Sequence, residues 1–255
     1  MKFASVCVLS YERPDFLRSS LDSMRALAHY PLEIIVHDDG SRDPRVGELL
    51  REQLGLGHVS TVIANPPGHN QGQGVALNRM FAVAAGDPIV KADQDLMYHP
   101  GWLKRCIEIL DGNQKRLSYK GSNPGEPRIG ALGLFRYQAE PVRWGDMFMQ
   151  SWGSWADDGG WEQHQDFVGS AMVIPREVWE AFGPFDQHSD AFAEDREFKM
   201  KLKTEGGLAL ALPIAEDLVT NIGFGVGPST VVVDHGTVAK INKAPVVIGA
   251  REETG

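Results

Sequence analysis

Short apolar runs alternate with amphipathic stretches along the first 110 residues of the chain. Short apolar runs bounded by polar or turn-forming residues are typical of strands buried on both faces of a sheet. The predicted strands are Phe3–Leu9, Leu32–Val36, Val59–Ala64 and Pro88–Ala92. Apolar residues recur at helical spacing between these runs, which predicts helices starting near Pro14 and covering Pro44–Leu54, Val75–Ala85 and Gly101–Leu110.

This alternation predicts an α/β fold in which a mainly parallel central sheet carries helices on both faces. Ligands of such sheets bind outside the carboxyl ends of the strands. Polar residues follow all four predicted strands at that edge: Ser10, then Asp38 and Asp39, then the Gly-rich loop Asn65–Gly74, then Asp93 and Asp95. We therefore expect a ligand site there, although polar loops alone would give the same pattern.

Asp93 and Asp95 end the fourth predicted strand, with Gln94 between them. Carboxylates two residues apart on a strand point to the same side. Two hard oxygen ligands suit a divalent cation, which can in turn hold a diphosphate. Taken alone, a D-x-D is also compatible with a solvated acidic turn.

The composition is that of an ordinary globular protein, with 42% hydrophobic and 23% charged residues. A formal net charge of −9 gives no electrostatic footprint for nucleic acid or an anionic membrane. Cys7 and Cys106 lie in apolar runs without metal-ligand spacing, which predicts buried free thiols. No apolar run approaches the roughly 20 residues of a membrane span, so we expect a cytoplasmic protein.

Several nucleotide-binding classes lack their motifs in this sequence. No G-x-x-x-x-G-K-[ST] loop occurs, and no G-x-G-x-x-G opens the first helix, which argues against ATPases and dinucleotide-binding enzymes. A nucleotidyltransferase would need a Gly-rich basic loop after the first strand to hold a triphosphate. Ser10–Pro14 contains one Arg and no Gly, so that class is a weaker alternative.

Taken together, the segments S-Y-E-R-P, H-D-D-G-S, N-x-G-x-G-x-A-x-N-R and K-A-D-Q-D-L resemble inverting glycosyltransferases with the GT-A fold, of the large family two type. A later segment, from Asp166 to Asp186, is similar to the acceptor-side strand and helix of that family, and Glu194-Asp195 to its E-D motif. The resemblance extends from Phe3 to about Leu212 and is poor between Leu117 and Gln165. It implies a single domain with a nucleotide-sugar half (1–112), an acceptor and catalytic half (113–243) and a C-terminal tail (244–255).

The resemblance also implies residue roles. The expected donor-nucleotide residues are Ser10, Tyr11, Arg13, Asp38, Asp39, Asn78, Asp93 and Gln94. The expected metal ligands are Asp95, Asp93 and His235, for Mn²⁺ or Mg²⁺. Alternatives remain open, because Asp38 and Asp39 suit a turn, Asn78 suits helix packing, and His235 suits an ordinary surface or core position.

Asp195 is the expected general base, with Glu194 as second choice, although both also suit a helix N-terminus. The expected acceptor residues are Trp161, Gly169 and Ser170. Trp161 belongs to the Trp-rich segment Pro141–Gln165, which predicts either an acceptor-binding loop or a small aromatic core.

The sequence thus predicts a metal-dependent inverting glycosyltransferase that uses a nucleotide-diphospho sugar donor. The acceptor would be a glycan, a small molecule or another hydroxyl, with nucleic acid still open. The alternatives are a non-catalytic nucleotide-sugar or glycan-binding relative and, with less support, a sugar-nucleotide nucleotidyltransferase.

Overall fold

The predicted alternation of strands and helices is present in the computed structural model, which describes residues 2–111, 128–134, 143–144, 147–148, 161–164, 169–187, 194–213 and 218–222. The strands are β1 (Ala4–Ser10), β2 (Leu32–Asp38), β3 (Thr61–Ala64), β4 (Ile89–Asp93), β5 (Leu96–Tyr98), β6 (Ile129–Gly133), β7 (Arg143–Trp144), β8 (Met147–Phe148), β9 (Trp161–His164), β10 (Ala171–Ile174), β11 (Ala209–Pro213) and β12 (Val219–Asn221). The helices are α1 (Pro14–Leu27), α2 (Pro44–Gly55), α3 (Gln73–Val83), α4 (Trp102–Leu110), α5 (Arg176–Phe182) and α6 (Glu194–Thr204).

Among the described residues, eight strands form one sheet in the order β3-β2-β1-β4-β10-β6-β11-β9. The first four strands are mutually parallel, as the sequence predicts. Strand β10 then runs antiparallel between β4 and β6, β11 is parallel to β6, and β9 is antiparallel at the edge. The second half of the chain therefore extends the parallel sheet beyond β4, which makes β4 a central strand.

Alternating residues of β1, β2, β4 and β10 supply two separate apolar cores, one on each face of the sheet. On one face, α1, α2 and α4 pack through Leu17, Met24, Leu49 and Trp102. On the other, α3, α5 and α6 pack on the sheet, with Met80 and Phe198 among the buried side chains. This confirms the predicted helix–sheet–helix layers. Cys7 and Cys106 are buried free thiols, as expected. No helix of the described residues is long and apolar enough to cross a membrane.

Several element boundaries differ from the sequence prediction by one or two residues, and two of the differences have identifiable reasons. Strand β2 continues through His37 and Asp38, because β1 and β3 both pair with it at these positions. Helix α3 begins at Gln73, so the end of the predicted Gly-rich loop is helical. Gly74 fits at that point because a Cβ there would overlap the backbone oxygen of Asp186.

His37 is fully buried on β2, and neither ring nitrogen has a hydrogen-bond partner among the described residues. An unpaired buried polar group costs about 1–3 kcal/mol. Burial lowers the pKa of His37, against a smaller opposing effect of the Asp39 charge. The neutral ring is therefore the form that the fold accommodates.

We expect His37→Leu to raise the free energy of unfolding, and to raise it more at pH 5 than at pH 8. A His whose pKa is lower in the folded state contributes its stability above the unfolded pKa of about 6.5 and loses it as pH falls. Leucine does not titrate, so the variant escapes that loss. Urea unfolding at both pH values measures the difference, and an equal or smaller gain at pH 5 would contradict the assignment.

Candidate functional site

The carboxyl ends of the first three strands are joined to one another by backbone hydrogen bonds. The amide of Asp39 donates to the carbonyl of Ser10 over 2.9 Å, and the amide of Asn65 donates to the carbonyl of Asp38 over 2.9 Å. The loops after β1, β2 and β3 therefore leave the sheet side by side. The four polar clusters seen in the sequence lie at one edge of one sheet.

Asp39 organises the Gly-rich loop. Its carboxylate accepts hydrogen bonds from Asn65 Nδ2 at 2.7 Å, the Gln71 amide at 2.8 Å and the Gly72 amide at 2.9 Å. Arg79 extends this network by donating to Asn65 Oδ1 at 2.8 Å. These bonds show that Asp39 holds the Gly-rich loop in place. Its contact with a nucleotide base stays a prediction.

Asp38 forms a local turn with Ser41. Its Oδ1 accepts hydrogen bonds from both the amide and the hydroxyl of Ser41. Burial raises the pKa of Asp38 in spite of these bonds. The contacts of Asp38 are therefore those of a turn residue. Its predicted contact with the donor nucleotide stays a prediction.

The loop after β1 has an unusual backbone. Glu12 and Arg13 both have φ of 55°, in the left-handed region that L residues rarely adopt. The Glu12 carboxylate accepts hydrogen bonds from the amides of Arg42 and Asp43, and the Glu12 amide donates to Ser41 Oγ. The loop after β2 therefore holds the loop after β1 in this conformation.

Gln94, the middle residue of the D-x-D, binds the same loop from the other side. Its Oε1 accepts from the Tyr11 amide at 3.2 Å, and its Nε2 donates to the Tyr11 carbonyl at 2.8 Å. Both polar atoms of the Gln94 side chain therefore bond the backbone of Tyr11. Tyr11 itself remains 38% exposed at the rim. The hydroxyl of Ser10 is buried without a hydrogen-bond partner in the described part of the chain.

Each carboxylate of the D-x-D faces a different cation. Asp93 ends β4 and lies 3.4 Å from Lys91 Nζ, whereas Asp95 lies beyond the strand end and bonds Arg13 Nη1 at 3.0 Å. Only Asp93 is therefore a strand residue, which corrects the expectation that both carboxylates project from the strand. Burial and the charge of Asp93 raise the pKa of Asp95 to about 6, and burial also raises the pKa of Asp93.

The E-D motif lies next to the D-x-D. Glu194 and Asp195 open α6, and both are buried. Their charges act on Lys91 together with that of Asp93, and they more than offset the effect of burial, so the pKa of Lys91 is raised. Burial raises the pKa of Glu194. The structure therefore brings the two acidic motifs together around one buried lysine.

Sequence reasoning missed Lys91 and Lys199. Lys91 Nζ donates to the carbonyl of Gly169 at 2.6 Å, and Lys199 Nζ lies 3.4 Å from Asp195 Oδ2, one helical turn away. The available signal was a single lysine inside an otherwise apolar strand, two residues before Asp93. A charge in such a place is rarely tolerated without a partner.

The chemistry of this edge fits a divalent cation. In the part of the chain that the structure describes, four buried or partly buried carboxylates face three cations, an excess of one negative charge. The carboxylates are Asp93, Asp95, Glu194 and Asp195, and the cations are Arg13, Lys91 and Lys199. Among the described residues, no three His, Cys, Asp or Glu side chains converge as a metal site. One or two carboxylates completed by substrate phosphates suffice for Mg²⁺. The third predicted ligand, His235, lies outside the described residues.

The predicted acceptor residues have separate positions. Gly169 and Ser170 precede β10, and the Ser170 carbonyl accepts from the amide of Asp93 at 2.9 Å, so this pair adjoins the D-x-D. Trp161 begins the edge strand β9, away from β4 in the strand order. Trp152, Trp155 and the predicted tail 244–255 lie outside the described residues.

Asn78 is committed to the loop that follows α5. Its Nδ2 donates to the Phe185 carbonyl at 2.9 Å, and its Oδ1 accepts from the Phe185 amide at 2.9 Å. Both polar atoms of the side chain are therefore used by one residue. This arrangement favours the packing alternative for Asn78.

We expect Asn78→Ala to lower the free energy of unfolding by about 1–3 kcal/mol, because the backbone groups of Phe185 lose their partners. Affinity for a nucleoside diphosphate should stay within threefold of the wild-type value. Urea unfolding and calorimetric titration measure the two effects. A tenfold loss of affinity at unchanged stability would instead assign Asn78 to the donor.

Comparison with known proteins supports the sequence resemblance. Residues 5–124 match the model of the glycosyl transferase family 2. An uncharacterized glycosyltransferase of Nostoc sp. is 30% identical over 128 residues, 44% of this chain and 39% of that protein. Glucosyl-dolichyl phosphate glucuronosyltransferase of Haloferax volcanii is 22% identical over 72% of this chain and 55% of that protein. The chain thus spans about half the length, or less, of these two relatives.

Solved structures share the fold. A mannosyltransferase from Pyrobaculum calidifontis, in complex with GDP-Man and Mn²⁺, matches with a TM-score of 0.57 at 18% identity, over 83% of this chain and 55% of that one. TarS 1–349 of S. aureus in complex with UDP matches with a TM-score of 0.54 at 16% identity, over 86% and 60%. The expected resemblance is confirmed: residues 5–124 match the glycosyl transferase family 2 model, and the described sheet has the GT-A fold of these solved structures.

Proposed function

We propose that this protein is a metal-dependent inverting glycosyltransferase that moves a sugar from a nucleotide-diphospho sugar to an acceptor hydroxyl. The observation that carries the proposal is the convergence of the D-x-D and the E-D carboxylates around the buried Lys91. A domain that only binds a nucleotide has no need of the second pair. The family match and the nucleotide complexes of two structural neighbours support the donor class.

The donor nucleotide would lie on the loops after β1, β2 and β4. Ser10, Tyr11, Asp38 and Asp39 would line the nucleoside, with the exposed Tyr11 ring offering an apolar face to the base. Asp93 would reach the ribose or the metal. Arg13, which pairs with Asp95, would be available to bind the diphosphate.

Asp93 and Asp95 would hold Mn²⁺ or Mg²⁺, with His235 as a third ligand. A bound divalent cation supplies Lewis-acid stabilisation of the departing diphosphate. Burial raises the pKa of both carboxylates, and a bound cation would offset that effect by favouring their charged forms. The Mn²⁺ in the mannosyltransferase complex belongs to that protein and supports the same choice of ion.

Asp195 would act as the general base. Its Oδ2 lies against Gly169 and near Lys199, so Oδ1 is the oxygen that would take the proton from the acceptor hydroxyl. The acceptor oxygen then forms its bond to the anomeric carbon while the bond from that carbon to the diphosphate oxygen breaks. A single displacement of this kind inverts the anomeric centre.

The acceptor would approach from the side of Gly169 and Ser170, which adjoin both acidic motifs. A glycan, a small molecule or another hydroxyl compound fits that position. Water is the simplest hydroxyl acceptor, so release of nucleoside diphosphate from the donor sugar measures turnover without a known acceptor.

The first experiment is a thermal-shift screen against UDP, GDP, dTDP, CDP and ADP, each with and without Mn²⁺. A ligand that binds only the folded state adds about 2.7 kcal/mol at a hundredfold excess over Kd, which is readily detected. We expect one nucleotide to raise the melting temperature in a metal-dependent way. Absence of any shift would favour a non-catalytic relative with the same fold.

Two substitutions separate donor binding from catalysis. Asp95→Ala should abolish metal-dependent nucleotide binding, because a principal metal ligand is lost. Asp195→Asn should leave that binding intact and lower turnover by about 10²–10⁴-fold, the usual contribution of a general base. Glu197→Gln, on the exposed side of the same helix, is the matched control. Full turnover by Asp195→Asn would show that the base lies elsewhere.

A further inference from the structure

We propose that Lys91 is a positioning residue that fixes the Asp195 carboxylate through the backbone of Gly169. The inference deepens the proposed function and rests on it, because Asp195 is the proposed base. It assigns a role to a strand lysine and to a glycine that lie between the two acidic motifs.

The first step is the burial of Lys91. It sits in the middle of β4, opposite Cys7 of β1 on one side and Met172 of β10 on the other, and it is only 2% exposed. Burying an ammonium group costs several kcal/mol unless its hydrogen bonds are satisfied. The shortest contact of Lys91 is the 2.6 Å bond to the Gly169 carbonyl, well inside its 3.4 Å distance to Asp93.

The second step is the contact between Gly169 and Asp195. A Cβ on Gly169 would overlap the Oδ2 and Cγ atoms of Asp195 and lie 2.8 Å from its Cβ. The carboxylate therefore lies directly against the glycine backbone. No other amino acid leaves this space, so the position of Gly169 determines where the carboxylate can be.

The two contacts form a continuous path from strand to base. Lys91 fixes the carbonyl of Gly169, Gly169 forms the surface under Asp195, and Lys199 Nζ approaches Asp195 Oδ2 at 3.4 Å from the next helical turn. Oδ2 is thus restrained from two directions, which sets the direction of Oδ1. An error of about 1 Å in a catalytic group can cost roughly a hundredfold in rate.

The test compares Gly169→Ala with Gly130→Ala. Gly130 lies in β6, where a Cβ would come 2.8 Å from the Leu208 Cβ, so this control also crowds the core but touches neither acidic motif. We expect Gly169→Ala to lower kcat for release of nucleoside diphosphate at least a hundredfold. Its Kd for the nucleoside diphosphate with Mn²⁺ should stay within threefold of the wild-type value, since the atoms nearest to the added Cβ all belong to Asp195.

Gly130→Ala should lower the melting temperature and keep kcat within threefold. Lys91→Met is the second variant, and it removes the bond to the Gly169 carbonyl without adding volume to the turn. Its kcat should fall at least as far as that of Gly169→Ala, so the inference remains testable if Gly169→Ala does not fold.

Three results would overturn the positioning role: turnover retained in Gly169→Ala, turnover retained in Lys91→Met, or a loss of nucleotide affinity in Gly169→Ala that matches its loss of kcat. The last would mean that the donor side of the site collapses as a whole. Failure of the proposed function is distinguishable, because then the wild-type chain itself would release no nucleoside diphosphate from any donor sugar.

Discussion

Charge that is buried must be matched by charge, and this requirement shapes the edge of the sheet at β4. Within the described ranges, four carboxylates and three cations meet there, and they come from the loop after β1, from β4 and its end, and from the start of α6. None of these groups could be buried alone without a cost of several kcal/mol. The cluster therefore exists only when the strand order places β1, β4 and β10 next to one another. The strand order that forms the sheet therefore also sets the arrangement of the acidic motifs.

The loops at this edge of the sheet are held in place by hydrogen bonds from side chains to loop backbone. Glu12 binds the amides of the loop after β2, Asp39 binds the amides of the Gly-rich loop, and Gln94 binds both backbone groups of Tyr11. Two consecutive left-handed residues after β1 are tolerated because these bonds offset their cost, about 1–2 kcal/mol each. The polar residues at the strand ends thus hold the loops of the candidate site in place.

The pattern of short apolar runs was enough to predict the parallel half of the sheet, its helices on both faces and the edge where polar groups gather. It could not predict the partners of those groups. Gln94 and Tyr11 are 83 residues apart, and Asn78 and Phe185 are 107 apart, so no local spacing indicates their bonds. Lys91 was overlooked for the same reason, because its partners Gly169 and Asp195 lie on segments that join β4 only in the folded sheet. The metal-ligand role of His235 and the Trp-rich middle stretch remain predictions.

The double hydrogen bond between Gln94 and the Tyr11 backbone joins the D-x-D and the loop after β1 into one structural unit. The middle residue of a D-x-D is an obvious position to randomise in a library. In this protein that residue, Gln94, holds the loop that follows β1 through two hydrogen bonds. Replacing the D-x-D alone with that of a relative would remove the Gln94 side chain that holds this loop. Replacing the loop alone would leave the Gln94 amide without its two hydrogen-bond partners. Residues 10–13 and 93–95 therefore form one structural unit, and an exchange between relatives should transfer both segments together.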